Sequence, residues 1–193
     1  MRYLINIFII FVIGLGGGGI SAWMAVEAEN GFGSVKIGQW TSWPLAGSVD
    51  ADPYTRARVA KDGSVPLGAA EGLAFFLNTD QFGKPLDRKC QYSILGATPP
   101  ARLWTLSVQD DKKQTVTSKT GIANTSFSQT IIREQDGTFT INIGNQPAPG
   151  NWLSISGKGK MRVVIRLYDT PITGSAGLAE PVMPRLINRD CVA

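Results

Sequence analysis

The sequence predicts an all-β domain, a sandwich or a barrel, carried behind one N-terminal transmembrane helix and a short linker helix. Three observations lead there. Residues 3–26 are an uncharged apolar run in which Asn6 and Ser21 are the only strongly polar side chains. The remainder contains short runs of period-two alternation, punctuated by many of the chain's 22 glycines and 11 prolines, which is the spacing of short strands and tight turns. About 165 residues follow the apolar run, enough for one domain with a core of its own.

As a helix rising ~1.5 Å per residue, the run reaches ~36 Å, longer than the ~30 Å of a hydrocarbon core. Arg2 precedes it; Glu27 and Glu29 follow it. That bias predicts a cytoplasmic N-terminus, a single pass through the inner membrane and a periplasmic domain. The competing reading is a cleaved signal peptide, with Val26-Glu27-Ala28 as the small-residue site. Signal peptides hold about 7–15 apolar residues, so the longer run here favours a retained anchor. Gly14 and Gly18 have the GxxxG spacing, and Ser21 extends the same seam. Such a seam packs against another helix, from a membrane-protein partner or a second copy. The alternative is a weakly helical break that packs against nothing.

Residues 30–49 hold Phe32, Trp40 and Trp43, either at the bilayer interface or over one end of the domain. Asp52 as N-cap and Pro53 in the first turn predict a short helix over 54–60. Strands are expected over 73–78 and 90–95. A third is expected over 102–109, where Trp104, Leu106 and Val108 share a face. Residues 119–128 read as a polar loop. Asp136-Gly137 predicts a hairpin between strands 129–134 and 138–143, with Phe139, Ile141 and Ile143 on one side. Residues 151–155 form a further short strand. In 160–168, Met161, Val163, Ile165 and Leu167 oppose Lys160, Arg162, Arg166 and Tyr168, with the charged side read as a solvated face. Beyond Pro171 the tail shows little periodicity. The domains implied are an anchor over 3–26, a juxtamembrane linker over 27–66 and a β-sandwich over 67–193.

Cys90 and Cys191 are the only cysteines. An even pair in an exported chain predicts one disulfide between them. The net charge of +4 comes without a dense Lys/Arg cluster, which argues against a nucleic-acid partner. There is no histidine, which removes the Ser-His-Asp triad and histidine-ligated zinc; no metal or cofactor fingerprint is present. Glycoside hydrolysis needs only two carboxylates, and Asp110, Asp111, Glu134, Asp136 and Asp169 are available. Asp110, Asp111 and Asp136, however, fall at predicted turns, where aspartate serves the backbone.

Four pieces together resemble the bacterial family known as domain of unknown function 1214: residues 100–106 (PARLWTL), Asp136-Gly137-Thr138, residues 149–153 (PGNWL) and Arg166-Leu167-Tyr168. The resemblance runs from about residue 73 to 184 and implies a jelly-roll-like antiparallel β-sandwich. Many members carry a second β-domain upstream, where this chain has a membrane segment and a linker. The family brings no activity. The expected function is a non-catalytic interaction subunit of a membrane or envelope assembly. The alternative is a glycan-binding or carbohydrate-active sandwich, which needs exposed tryptophans around a groove. The candidate ligand-facing residues are Trp104, Asn151, Trp152, Arg166 and Tyr168. Trp152 has a competing place in the core, and Asn151 a competing role in holding its turn through side-chain-to-backbone bonds.

Overall fold

The apolar run is one helix, α1 (Arg2–Glu27), with no buried residue and a mean hydropathy of 2.1 in its most apolar stretch. It is long and apolar enough to cross a membrane. The computed structural model describes residues 2–28, 31–63, 65–68, 70–118, 124–174 and 181–191. The second helix, α2 (Pro53–Asp62), starts as the sequence predicts. The Asp52 carboxylate accepts hydrogen bonds from the backbone N–H groups of Tyr54 (2.9 Å) and Thr55 (3.0 Å), two of the donors a helix start leaves unpaired. The Thr55 hydroxyl and then its N–H hold that carboxylate below its ordinary pKa. Gly63 ends the helix at φ +59°, a left-handed conformation that suits glycine.

Ten strands follow among the described residues: β1 (Val35–Ile37), β2 (Trp40–Ser42), β3 (Gly72–Leu77), β4 (Cys90–Gly96), β5 (Leu103–Asp110), β6 (Thr125–Phe127), β7 (Phe139–Gly144), β8 (Asn151–Ser154), β9 (Met161–Tyr168) and β10 (Arg185–Cys191). They make two sheets, ordered β1-β2-β3-β9-β5-β6 and β10-β4-β7-β8. Every pairing is antiparallel except β7 with β8. The fold is the expected β-sandwich.

Period-two alternation builds its core. On the six-stranded sheet, Phe75, Leu106, Val163 and Ile165 point inward; on the other, Ile94, Ile141, Ile143 and Leu153 face them. The Trp104 and Phe139 rings meet across the sheets with centroids 5.0 Å apart. Each such fully buried side chain contributes about 1.5–3 kcal/mol relative to exposure.

Four sequence expectations change. The segment read as a linker supplies β1 and β2, which extend the six-stranded sheet through β3. Trp40 is therefore in the core rather than at an interface, and its indole N–H donates to the Pro184 carbonyl at 2.7 Å. The Asp136-Gly137 turn forms, with Gly137 at φ +82°, but residues 129–134 are not a strand. The reason is steric: β7 already has β4 on one edge and β8 on the other. Residues 125–127 of the expected loop form β6, while 119–123 lie outside the described residues. The tail, read as having little periodicity and given no strand, contains β10, which pairs with β4; it is an edge strand with Leu186 its only buried residue, so it offers little alternation to read.

At one end of that pairing Cys90 and Cys191 are register partners, and a disulfide joins them. They are 101 residues apart, so the bond removes much freedom from the unfolded chain. A Cys90→Ser, Cys191→Ser double variant is expected to lose about 2–4 kcal/mol of unfolding free energy in urea titrations, with β10 the first element to exchange its amide hydrogens.

Candidate functional site

The candidate site lies on the outer face of the six-stranded sheet. Its central strand, β9, puts Arg162, Val164, Arg166 and Tyr168 there, while β3 contributes Phe76 and β5 contributes Ser107 and Gln109. Val164 is fully buried, and the arginines and Tyr168 are half-buried, so this face is covered rather than solvated. The cover is α2. Its sheet-facing stripe is Thr55, Arg58, Val59 and Asp62, a helical i, i+3, i+4, i+7 spacing. A core-facing helix usually carries an apolar stripe. This one sets polar and charged groups over a sheet face that is also charged, the two surfaces do not close-pack, and a cavity of about 590 Å³ remains between them.

Five cations line the cavity: Arg58 from α2, Lys112 and Lys113 from the turn after β5, and Arg162 and Arg166 from β9. Two carboxylates line it as well, and each already has a partner. Asp62 is ion-paired with Lys113, and Glu27, the last residue of α1, with Lys61. Among the described residues no carboxylate lies within ion-pair distance of Arg58, Arg162 or Arg166.

Neutral groups hold the guanidinium groups instead. The Arg162 Nε donates to Gln109 Oε1 at 2.8 Å, and an Arg166 terminal N–H donates to the Ser107 hydroxyl at 3.3 Å. Arg162 stacks over the Phe76 ring at 4.8 Å and Arg58 over the Trp43 ring at 4.6 Å; those two rings meet at 5.9 Å. Stacking occupies the face of a guanidinium and leaves its in-plane N–H edge free for a planar or tetrahedral anion. The Trp43 indole N–H is buried without a hydrogen-bond partner and adds a further donor to this wall.

Crowded cations in a partly dry site weaken one another's charged forms. Burial and then Arg166 draw the Arg162 guanidinium down to about 10. Burial, followed by Arg162, Arg58 and Lys61, draws the Lys113 ammonium, which is ion-paired with Asp62, down to about 8. Lys113 also has φ +63°, an uncommon backbone conformation for a non-glycine residue, in a turn whose other amides are held by the Asp110 carboxylate.

The residues singled out in the sequence divide among three places. Arg166 and Tyr168 line this cavity. Trp104 is 2% exposed and belongs to the core, which corrects its reading as ligand-facing: β5 is an inner strand, and its inward positions fill the sandwich. Asn151 and Trp152 lie on the other sheet. Asn151 accepts from the Ile132 N–H (2.7 Å) and donates to the Ile132 and Thr140 carbonyls, so its amide pins the arm that fails to become a strand. Trp152 is half-buried and donates to the Gly144 carbonyl. The aspartates considered for hydrolysis also act locally: Asp136 caps its own turn through Thr138, and Asp169 pairs with Arg102 at the surface. Arg58 and Lys113 escape sequence reading as site residues, and Trp43 reads only as an aromatic at the bilayer interface or over one end of the domain. The available signal was Val164, an apolar residue between two arginines on a face assigned to solvent.

The model of the DUF1214 family, described as a protein family of unknown function, matches residues 71–172. The chain belongs to this family. No curated protein matches it. Among solved structures, the VPA0106 protein from Vibrio parahaemolyticus is similar in fold, with 19% identity and a TM-score of 0.57 over 73% of this chain and 36% of that one. An uncharacterised protein from Burkholderia cenocepacia is 16% identical with a TM-score of 0.42, over 77% of this chain and 47% of that one. The chain thus spans little more than a third of the length of the Vibrio protein. Within the DUF1214 chain described here, the cavity floor falls inside the matched region, while its cover, Trp43 and Arg58, falls outside.

Arg166 sits among like charges with one long hydrogen bond, an arrangement expected to cost the unliganded protein stability. Arg166→Met is expected to raise the thermal midpoint by about 1–3 °C in low-salt, anion-poor buffer, as read by calorimetry.

Proposed function

We propose that this DUF1214 protein is a non-catalytic, exported binding module, an interaction subunit of an envelope assembly tethered to the inner membrane by α1. In this reading its N-terminus is cytoplasmic, its sandwich is periplasmic, and its cavity takes up an anionic group of a ligand or partner. One observation carries the proposal: three half-buried arginines lie in one cavity and, among the described residues, no carboxylate is within ion-pair distance of any of them. Uncompensated charge of this kind is costly in an empty site and becomes an asset when an anion enters. The glycan reading loses its main support, because Trp104 is in the core and the Trp152 N–H is bonded to backbone.

Sulfate tests the site, since its own charge is constant near neutral pH. The thermal midpoint in sulfate, compared with chloride of equal ionic strength, is expected to rise for the wild type and to rise less for Arg58→Ala, Arg162→Ala. The increment should shrink as pH climbs through about 8. Lys113 is protonated below that value and neutral above it, so attraction for the anion is lost on the alkaline side.

The tether has its own candidate contact. Gly14 and Gly18 have open space where a Cβ would sit, and the Ser21 hydroxyl is bonded back to the Gly18 carbonyl at 2.9 Å. A second membrane helix, from a partner subunit or another copy, would find close backbone approach along this seam. Replacing both glycines with Leu is expected to abolish crosslinking within the membrane while leaving insertion and the disulfide unchanged.

A further inference from the structure

We infer that the anion bound in this cavity is the phosphate headgroup of an acidic phospholipid, drawn from the leaflet in which α1 emerges. This deepens the anion-site reading above and rests on it, as it rests on α1 spanning the bilayer.

Position is the first argument. Glu27 is both the last residue of α1 and part of the cavity wall. If α1 crosses the hydrocarbon core, that wall lies at headgroup depth. Three contacts keep it there. Lys61 of α2 pairs with Glu27, the Lys61 ammonium sits 4.1 Å from the Trp23 ring centroid, and Arg58 donates to the Ala28 carbonyl. The covering helix is thereby fixed to the end of the membrane helix, and Trp23 stands where interfacial tryptophans are favoured. A site held in this place meets lipid headgroups at far higher local concentration than any solute.

The second argument is the chemistry of the walls. A small polar anion needs donors only. This cavity adds a substantial apolar surface: Trp43, Pro44, Val59, Pro66, Leu67 and Phe76 line it together with the cations. Val65, on the loop that follows α2, is also in the lining and is 96% exposed. An apolar residue so exposed beside a cationic site suits an amphiphile whose glycerol and upper acyl carbons rest on the rim while the phosphate reaches the arginines. The volume of about 590 Å³ lies within the ordinary range for small-molecule sites and far exceeds the needs of a bare inorganic anion.

The third argument is the form of the cationic group. Arg58 and Arg162 are stacked on aromatic rings from opposite walls, and Arg166 stands two outward positions along β9, beyond Val164. The N–H groups left over from the bonds to the Ala28 carbonyl, Gln109 and Ser107 suit a tetrahedral phosphate with several acceptor oxygens, whereas a zwitterionic headgroup would bring an ammonium into the same cluster of cations.

Native mass spectrometry of the full chain, released from mixed micelles holding equal phosphatidylglycerol and phosphatidylcholine, tests the inference. The wild type is expected to retain one phosphatidylglycerol with about tenfold preference, and an Arg58→Ala, Arg162→Ala, Arg166→Ala variant to lose that preference. Arg162→Lys, Arg166→Lys keeps the charge but not the fork of donors; it should fold as the parent does and retain less lipid. Lys36→Ala, which removes an exposed cation from edge strand β1, should behave as wild type. Equal retention of the two lipids by the wild type would overturn the inference. So would undiminished phosphatidylglycerol retention in both arginine variants, because the lipid would then be held around α1. If either result came while sulfate still stabilised the wild type, the anion site would stand and only its lipid ligand would be wrong; if sulfate failed as well, both would fall.

Discussion

β9 runs through the middle of the six-stranded sheet, hydrogen-bonded to β3 on one edge and β5 on the other. Strand geometry then leaves its side chains two directions only. Met161, Val163, Ile165 and Leu167 go into the sandwich, and Arg162 and Arg166 must stand together on the opposite face. A one-residue slip would drive both arginines into the apolar core, so the burial that fixes the register also fixes the cation pair. The positions of α2, the turn after β5 and Trp43 are all answers to what to place above two neighbouring positive charges.

That answer is not neutralisation. Aromatic faces, a glutamine and a serine hold the guanidinium groups in orientation, and the carboxylates nearby are spent on lysines. Ring and amide contacts position a guanidinium without cancelling its charge, so the potential in the cavity survives. A protein needing these arginines only for packing would do as well with methionine or leucine, whose burial carries no electrostatic penalty.

Much of the sandwich was legible in the sequence because one-sided burial writes itself as alternation. The inward faces of β5, β7 and β9 read correctly, as did the Asp52-Pro53 start of α2, where the local chemistry of a cap is sufficient. The failures share a cause: they are decided by partners far away in the chain. Whether 129–134 pairs with β7 depends on β8, which occupies that edge, in parallel. Whether β10 exists depends on the free edge of β4. The cavity is less legible again, since Arg58, Lys113 and Arg162 come from a helix, a turn and a strand widely separated in sequence. Only Arg166 and Tyr168 were marked beforehand, and they are consecutive outward positions of a single strand.

The Cys90–Cys191 bond has a consequence for a chain exposed to proteases. It turns everything from the start of β4 to the end of β10 into one covalent ring, attached to α1 through the segment before Cys90. A cut after exposed Lys112, beside the cavity, would divide the polypeptide without freeing either piece. The downstream half, with β9 and its two arginines, would still be tied through Cys191 to the half that carries α1. Damage at this exposed turn of the site would thus leave every strand on the same molecule, with the sheet pairings available to hold or re-form the sandwich in place.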